Sequence, residues 1–121
     1  MASHNQLGQE GELLAADWLR QNNFVLLHRN WRHGRYEVDI IASRGDVLHF
    51  IEVKTRRSTR FGEPEESVGR SKIGHLLKAG AAYQYEYPRW KRVQYDVLAI
   101  TLVPGEEGED RECVFIEDIY L

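Results

Sequence analysis

The chain has 121 residues, enough for one domain with a packed core and too few for two of ordinary size. Its 42% hydrophobic and 29% charged residues are those of a globular protein; a single cysteine excludes an internal disulfide, and no apolar run nears the roughly 20 residues of a bilayer span. The net charge of -3 conceals an uneven distribution, -6 over residues 104–121 and +3 over the rest.

Met1 to Gln6 lack the apolar core of a signal peptide, so a reducing cytoplasm is the expected setting and a membrane is not an expected partner. From Gly8 to Gln21 the apolar spacing predicts a helix, which the pair Asn22-Asn23 should stop in a left-handed turn. Phe24 to Leu27 reads as a short apolar strand, and Asn30 to Arg35, with Gly34, as a turn. Glu37 to Ala42 and Val47 to Lys54 read as a hairpin closed by Arg44-Gly45-Asp46. Thr55 to Gly69 reads as an irregular basic loop. Ser71 can cap a helix from Lys72 to about Tyr87, with Ile73, Leu76, Leu77, Gly80 and Ala81 on one face and Pro88 as its stop. Val93 to Val103 is a long strand, 104–110 a turn, and Cys113 to Ile116 a last short strand in which the cysteine should be a small buried side chain. The order is α-β-β-β-α-β-β in one α/β domain spanning 1–121.

Basic residues cluster around the central hairpin: Arg29, Arg32 and Arg35 before it, and Lys54, Arg56, Arg57, Arg60, Arg70 and Lys72 after it. Such clustering suits a polyanion, and equally a solvated mixed-charge surface.

The hairpin carries the chemical argument. Side chains alternate across a sheet, so Glu52 and Lys54 share one face against Ile51 and Val53, and Glu37 and Asp39 share one against Val38 and Ile40. If Asp39 and Glu52 meet across the hairpin, their repulsion is relieved by a proton or a cation. Oxygen ligands of this kind suit Mg²⁺ or Mn²⁺, which bind through one or two carboxylates plus waters and substrate phosphate. Lys54 would then orient a water or stabilise charge developing on phosphate. Taken alone the pattern also fits an exposed hairpin with a surface Glu52–Lys54 pair worth less than about 1 kcal/mol.

Further residues bear on the choice. Glu12 lies on the first helix four residues after Gly8 and three and seven before Ala15 and Leu19, on its small and apolar side; the other reading places it in solvent beside Glu10. Lys72, at a helix start, opposes the macrodipole unless a phosphate is near. Asp96 reads as a structural charge paired with an Arg or Lys. Arg35, Arg56 and Arg57 read as generic phosphate contacts, and the histidines lack zinc spacing.

Gly8-Gln-Glu-Gly-Glu12-Leu-Leu-Ala15, Glu37-Val-Asp39-Ile-Ile-Ala42, Phe50-Ile-Glu52-Val-Lys54-Thr-Arg56 and Phe61-Gly62-Glu63-Pro64, followed by Ser71-Lys72 and Tyr95-Asp96-Val97, resemble in order and approximate spacing the uncharacterised bacterial YraN-like family. That family looks like a member of the restriction-endonuclease-like superfamily, related to archaeal Holliday junction resolvases and tRNA-endonuclease-like domains. The resemblance implies a central mixed sheet of about five strands flanked by helices, nucleic-acid binding and a Mg²⁺-dependent phosphodiesterase centre. It marks Glu12, Asp39, Glu52 and Lys54 as the site, with Glu37 and Lys72 as further motif positions. Tyr36 departs from it, standing where the family usually has Gly. A ring there would crowd a DNA backbone or stack on a base.

The expected function is metal-assisted cleavage of structured DNA, branched or single-stranded. Asp39, Glu52 and the Val53 carbonyl would hold Mg²⁺ or Mn²⁺, Glu12 would support the shell, and Lys54 would position the attacking water. Arg35, Arg56, Arg57, Arg60 and Lys72 would grip phosphates. A resolvase would need two sites and therefore a homodimer. The alternatives are a nucleic-acid-binding or accessory module without turnover, and a structural protein that docks through its acidic end.

Overall fold

The computed structural model describes residues 4–57, 70–105 and 108–119. Helix α1 (His4–Gln21) is followed by strands β1 (Val25–His33), β2 (Tyr36–Arg44) and β3 (Val47–Arg57), helix α2 (Arg70–Glu86), and strands β4 (Arg92–Gly105) and β5 (Gly108–Ile116). The element order is the one expected. All five strands form one sheet in the order β1-β2-β3-β4-β5, antiparallel except for the β3–β4 pair. Parallel neighbours need a long crossover, and α2 supplies it. No described helix is long and apolar enough to cross a membrane.

Local chemistry sets the element ends. Asn23 takes a left-handed conformation (φ 69°) after α1, while the amides of Phe24 and Asn23 bond the carbonyls of Leu19 and Arg20 at 2.9 and 3.2 Å. This is a Schellman stop. Gly34 (φ 60°) and Gly45 (φ 64°) turn the two hairpins.

Several boundaries differ from the sequence reading. β1 continues through Asn30, Trp31 and Arg32 because the β2 ladder holds it, and the β1–β2 turn shrinks to Gly34 and Arg35. β3 runs on through Thr55, Arg56 and Arg57, each in register with β4, so these three are strand and not loop. β5 starts at Gly108 because pairing with β4 outweighs its charged composition.

Two apolar clusters occupy the two faces of the sheet. One joins Ala15 and Leu19 of α1 to Ile40, Ala42, Ile51, Leu98, Ile100 and Leu102. The other joins Leu76, Ala79 and Tyr83 of α2 to Val38, Ile41, Leu48, Phe50 and Tyr95. The buried face of α2 is therefore Leu76, Ala79, Gly80 and Tyr83, while Ala81, expected on that face, is exposed. A Cβ on Gly80 would lie 2.5 Å from the Tyr95 hydroxyl, so the close packing of α2 on that side chain needs glycine there.

Cys113 is half-buried, because β5 is an edge strand whose Val114 and Ile116 are 48% and 42% exposed; partial burial pushes the thiol pKa up. The acidic end is not a separate tail. Glu109 pairs with Arg57, and Glu117 with Arg44 at 3.3 Å, bringing the two unlike charge regions together.

Asp96 is fully buried, and its partner is a histidine instead of the expected Arg or Lys. His49 Nδ1 and Asp96 Oδ2 share a 2.6 Å hydrogen bond, while the amide of Asp118 and Nε2 of Gln94 each donate to Oδ1 at 2.9 Å. The carboxylate thus ties β3, β4 and the segment after β5 together.

Candidate active site

The site forms where the β2–β3 ladder ends. Pairing runs from Arg44↔Val47 to Ile40↔Ile51 and stops there. Two residues beyond Ile51 the amide of Val53 donates instead to the Asp39 carboxylate, at 2.8 Å. From Glu52 to Arg57, β3 is in register with β4 alone.

The other side of β2 is irregular at the same point. Asn30 of β1 is left-handed (φ 53°), and the register passes from Arg29↔Ile40 to Trp31↔Val38 without pairing Asp39. Val38 packs into the α2-side cluster and Ile40 into the α1-side cluster, so they do not share a face as strict alternation predicts. The change of face falls at Asp39, whose carboxylate accepts from the Val53 amide.

Glu37, Asp39 and Glu52 line a cleft of about 210 Å³ together with Arg35 and His75. At roughly 30 Å³ per water molecule, it has room for a phosphate group and a few waters. Burial pushes the Asp39 carboxyl up to about 7, helped by the negative charges of Glu52, Glu12 and Glu37 and opposed by the Val53 amide. Asp39 and Glu52 thus line one cleft, and the Glu52 charge adds to the effect of burial on Asp39.

Glu12 reaches this site from the far side of the sheet. α1 covers one face and α2 the other, yet the Glu12 charge acts on Asp39 at the place where the ladder has ended. Gly11 makes the approach close: a Cβ there would sit 2.7 Å from the Cβ of Thr55 and 2.8 Å from its Cγ2. The close contact belongs to Gly11; Gly8, on which the sequence argument leaned, is exposed. Glu12 itself is half-buried.

The other expected residues distribute unevenly. Lys54 lies two residues beyond Glu52 on β3, half-buried, and is not among the residues lining the cleft. Val53 is half-buried against the α1-side cluster. Arg56, three residues further along β3, is also half-buried. Arg57 is engaged by Glu109 and by Glu10 at 3.7 Å, which restrains it as a phosphate ligand. Arg60 and the side chain of Lys72 fall outside the described residues, as do the side chains of Ile73 and of Ser71, the expected cap, which α2 overtakes by starting at Arg70.

His75 is the cleft residue that sequence reasoning missed. Its signal was available: His75 and Lys78 stand three apart on one helix and so project side by side.

The donor set can be tested against a divalent cation. Among the described residues no group of three or more His, Cys, Asp or Glu is placed to hold a metal ion. Two neighbouring carboxylates, one driven toward protonation by burial and then by the other's charge, nevertheless fit Mg²⁺ or Mn²⁺, which takes one or two carboxylates and completes its shell with water and phosphate oxygens. Asp39 and Glu52 would hold it, with the Val53 carbonyl.

The chain matches the model of the uncharacterised protein family UPF0102 over residues 11–100, a span containing Glu12, Asp39, Glu52, Lys54 and Lys72. It is 45% identical over 105 residues to a UPF0102 protein of Syntrophomonas wolfei, covering 85% of this chain and 90% of that one. A UPF0102 protein of Bacteroides thetaiotaomicron is 39% identical over 111 residues, covering 92% and 89%. One of Dictyoglomus thermophilum is 40% identical over 101 residues, covering 83% and 86%. The chain belongs to the UPF0102 family, the YraN-like group that its ordered motifs resemble.

Proposed function

We propose that the protein is a metal-dependent endonuclease that hydrolyses phosphodiester bonds in structured DNA. The observation that carries this reading is the Asp39–Glu52 pair at the end of a broken ladder, with the Asp39 carboxyl pushed up to about 7. A structural ion pair lowers a carboxylate's pKa. Burial and neighbouring carboxylates raise it, and a bound cation would offset both. The likeness of the family to the restriction-endonuclease-like superfamily, whose members cut nucleic acids, adds to the reading.

A bound Mg²⁺ or Mn²⁺ would supply Lewis-acid polarisation of the phosphate and a more acidic water. The protein's own groups do the remaining work. The Val53 amide fixes the Asp39 carboxylate, so this ligand is oriented before substrate arrives. Glu52 holds charge beside it, and Glu12 adds a third negative charge that favours cation entry. Lys54 stabilises negative charge developing on the phosphate, and Arg35 and Arg56 hold neighbouring phosphates.

The test is cleavage of four-way junction, flap and linear DNA with Mg²⁺ or Mn²⁺, together with calorimetric metal titration. Cleavage that disappears in Asp39→Asn supports the reading. Intact substrates together with no metal binding refute it.

The second reading, a nucleic-acid-binding module without turnover, draws on Arg35, exposed at the cleft and without a carboxylate partner among the described residues. It predicts salt-dependent DNA binding that survives Asp39→Asn and no cleavage by the unaltered chain.

A further inference from the structure

Beside its acids the cleft carries a second set of residues, cationic and aromatic. Arg35 and His75 line it beside the three acids, and both meet Tyr36. The Tyr36 and His75 rings lie 5.2 Å apart at 58°. Arg35 Nη2 and Lys78 Nζ reach the Tyr36 hydroxyl at 3.4 and 3.5 Å, and each cation stands 5.4 Å from the ring centroid.

The pairing of charges elsewhere makes this arrangement informative. Arg32 is neutralised by Glu37, Arg44 by Glu117, Arg57 by Glu109 and Glu10, and Arg92 by Asp46. Among the described residues no carboxylate pairs with Arg35 or Lys78. Two cations meeting at one phenol repel each other, and an anion placed between them removes that repulsion. Rings continue along the hairpin. His33 is in register with Tyr36, and the His33 ring lies parallel to that of Trp31, 6.3 Å away at 11°.

A phosphate alone would need only the cations. Ring faces become useful when bases are free to stack, which duplex DNA does not offer and an unpaired strand does. We propose that Tyr36, with Arg35, Lys78 and His75, forms a subsite beside the acid cleft for one unpaired nucleotide of a polynucleotide strand. Its phosphate lies between Arg35 and Lys78 and its base against the rings. The subsite rests on the reading of the cleft as the place of phosphodiester hydrolysis, and it directs that reaction to strands with unpaired bases.

The experiment is fluorescence anisotropy of the full chain with labelled oligonucleotides at low salt and without divalent metal. It compares a deoxyribonucleotide strand, the same sequence as ribonucleotide, and a DNA duplex of equal length. Tyr36 also packs at the margin of the α2-side core, so Tyr36→Leu is used to keep apolar volume and lose the ring. Tyr36→Phe keeps the ring, and exposed Lys78→Ala leaves the core untouched.

Tyr36→Leu is expected to weaken single-strand binding about fivefold or more and duplex binding less than about twofold. Tyr36→Phe should stay within about twofold of the unaltered chain, and Lys78→Ala should lower the salt dependence on every strand. Equal losses on the two single strands assign the effect to base stacking, and a loss confined to one identifies the strand bound. Tyr36→Leu binding single strands as tightly as the unaltered chain, or losing as much on duplex, overturns the subsite. Loss on single strands without any cleavage by the unaltered chain overturns hydrolysis and leaves the subsite standing. Cleavage indifferent to the Tyr36 ring and to base pairing does the reverse.

Discussion

The Val53 amide donates to the Asp39 carboxylate at 2.8 Å, at the step where the β2–β3 backbone ladder would otherwise continue. A side chain thus replaces a backbone carbonyl as acceptor. Asp39→Asn keeps an acceptor and removes the charge, so the fold should persist while Mg²⁺-dependent cleavage falls about a hundredfold or more. Metal-free DNA binding should hold or tighten. Asp39→Ala leaves the amide unpaired and should also lower stability by about 1–3 kcal/mol. Single-turnover cleavage and chemical denaturation of the two variants separate these effects.

The raised Asp39 pKa has a defined sign in stability. Its carboxyl titrates near 3.8 in its ordinary state and at about 7 in the folded chain, so the folded state holds the proton more tightly. Its contribution is fully present below about pH 4 and is lost as pH rises through about 7. Screening at the open cleft reduces the effect to on the order of 2 kcal/mol. Asp39→Asn should therefore gain stability relative to the unaltered chain as pH rises from 5 to about 8, read as the difference in Tm.

Divalent cation should reverse that loss. At pH near 8 saturating Mg²⁺ or Mn²⁺ is expected to raise the Tm of the unaltered chain and to leave that of Asp39→Asn unchanged. At pH near 6, binding should release a proton from Asp39, detected as a dependence of calorimetric heat on the buffer's ionisation enthalpy. Identical heats in all buffers would contradict the prediction.

The charges acting on Asp39 are ordered, and the order is measurable. Glu52→Gln should lower its pKa most, Glu12→Gln less and Glu37→Gln least. Carboxyl carbon NMR titration of the three variants gives the ranking. A null effect of Glu12→Gln would remove α1 from the site.

Asp96 should behave as a structural charge. Asp96→Ala leaves His49, Gln94 and the Asp118 amide without their acceptor in the interior, and is expected to cost about 3–5 kcal/mol. Hydrogen exchange should then rise first at the amides of Asp118 and Ile119, the latter now bonded to the Tyr95 carbonyl at 2.8 Å.

Much of this protein was legible without coordinates. Hydrophobic period alone separated the two helices from the strands, Asn23 and Gly45 marked real stops, and Asp39 and Glu52 stood out because charge sat where strand residues are usually apolar. Local composition failed where partners decided. The polar residues of β1 and the charged ones of β5 became strand because a neighbouring ladder satisfied their backbone groups.

The sequence by itself determined the element order, the family motifs and the acid pair, all of which are local patterns in one dimension. Only the tertiary structure decided that the Asp39 carboxylate accepts from Val53 where the ladder ends, that Glu12 acts from the opposite face, and that His75, Tyr36 and Lys78 gather beside the acids. These relations join residues up to 42 positions apart, and no periodicity along a chain encodes where a ladder ends or which helix comes to lie over the gap.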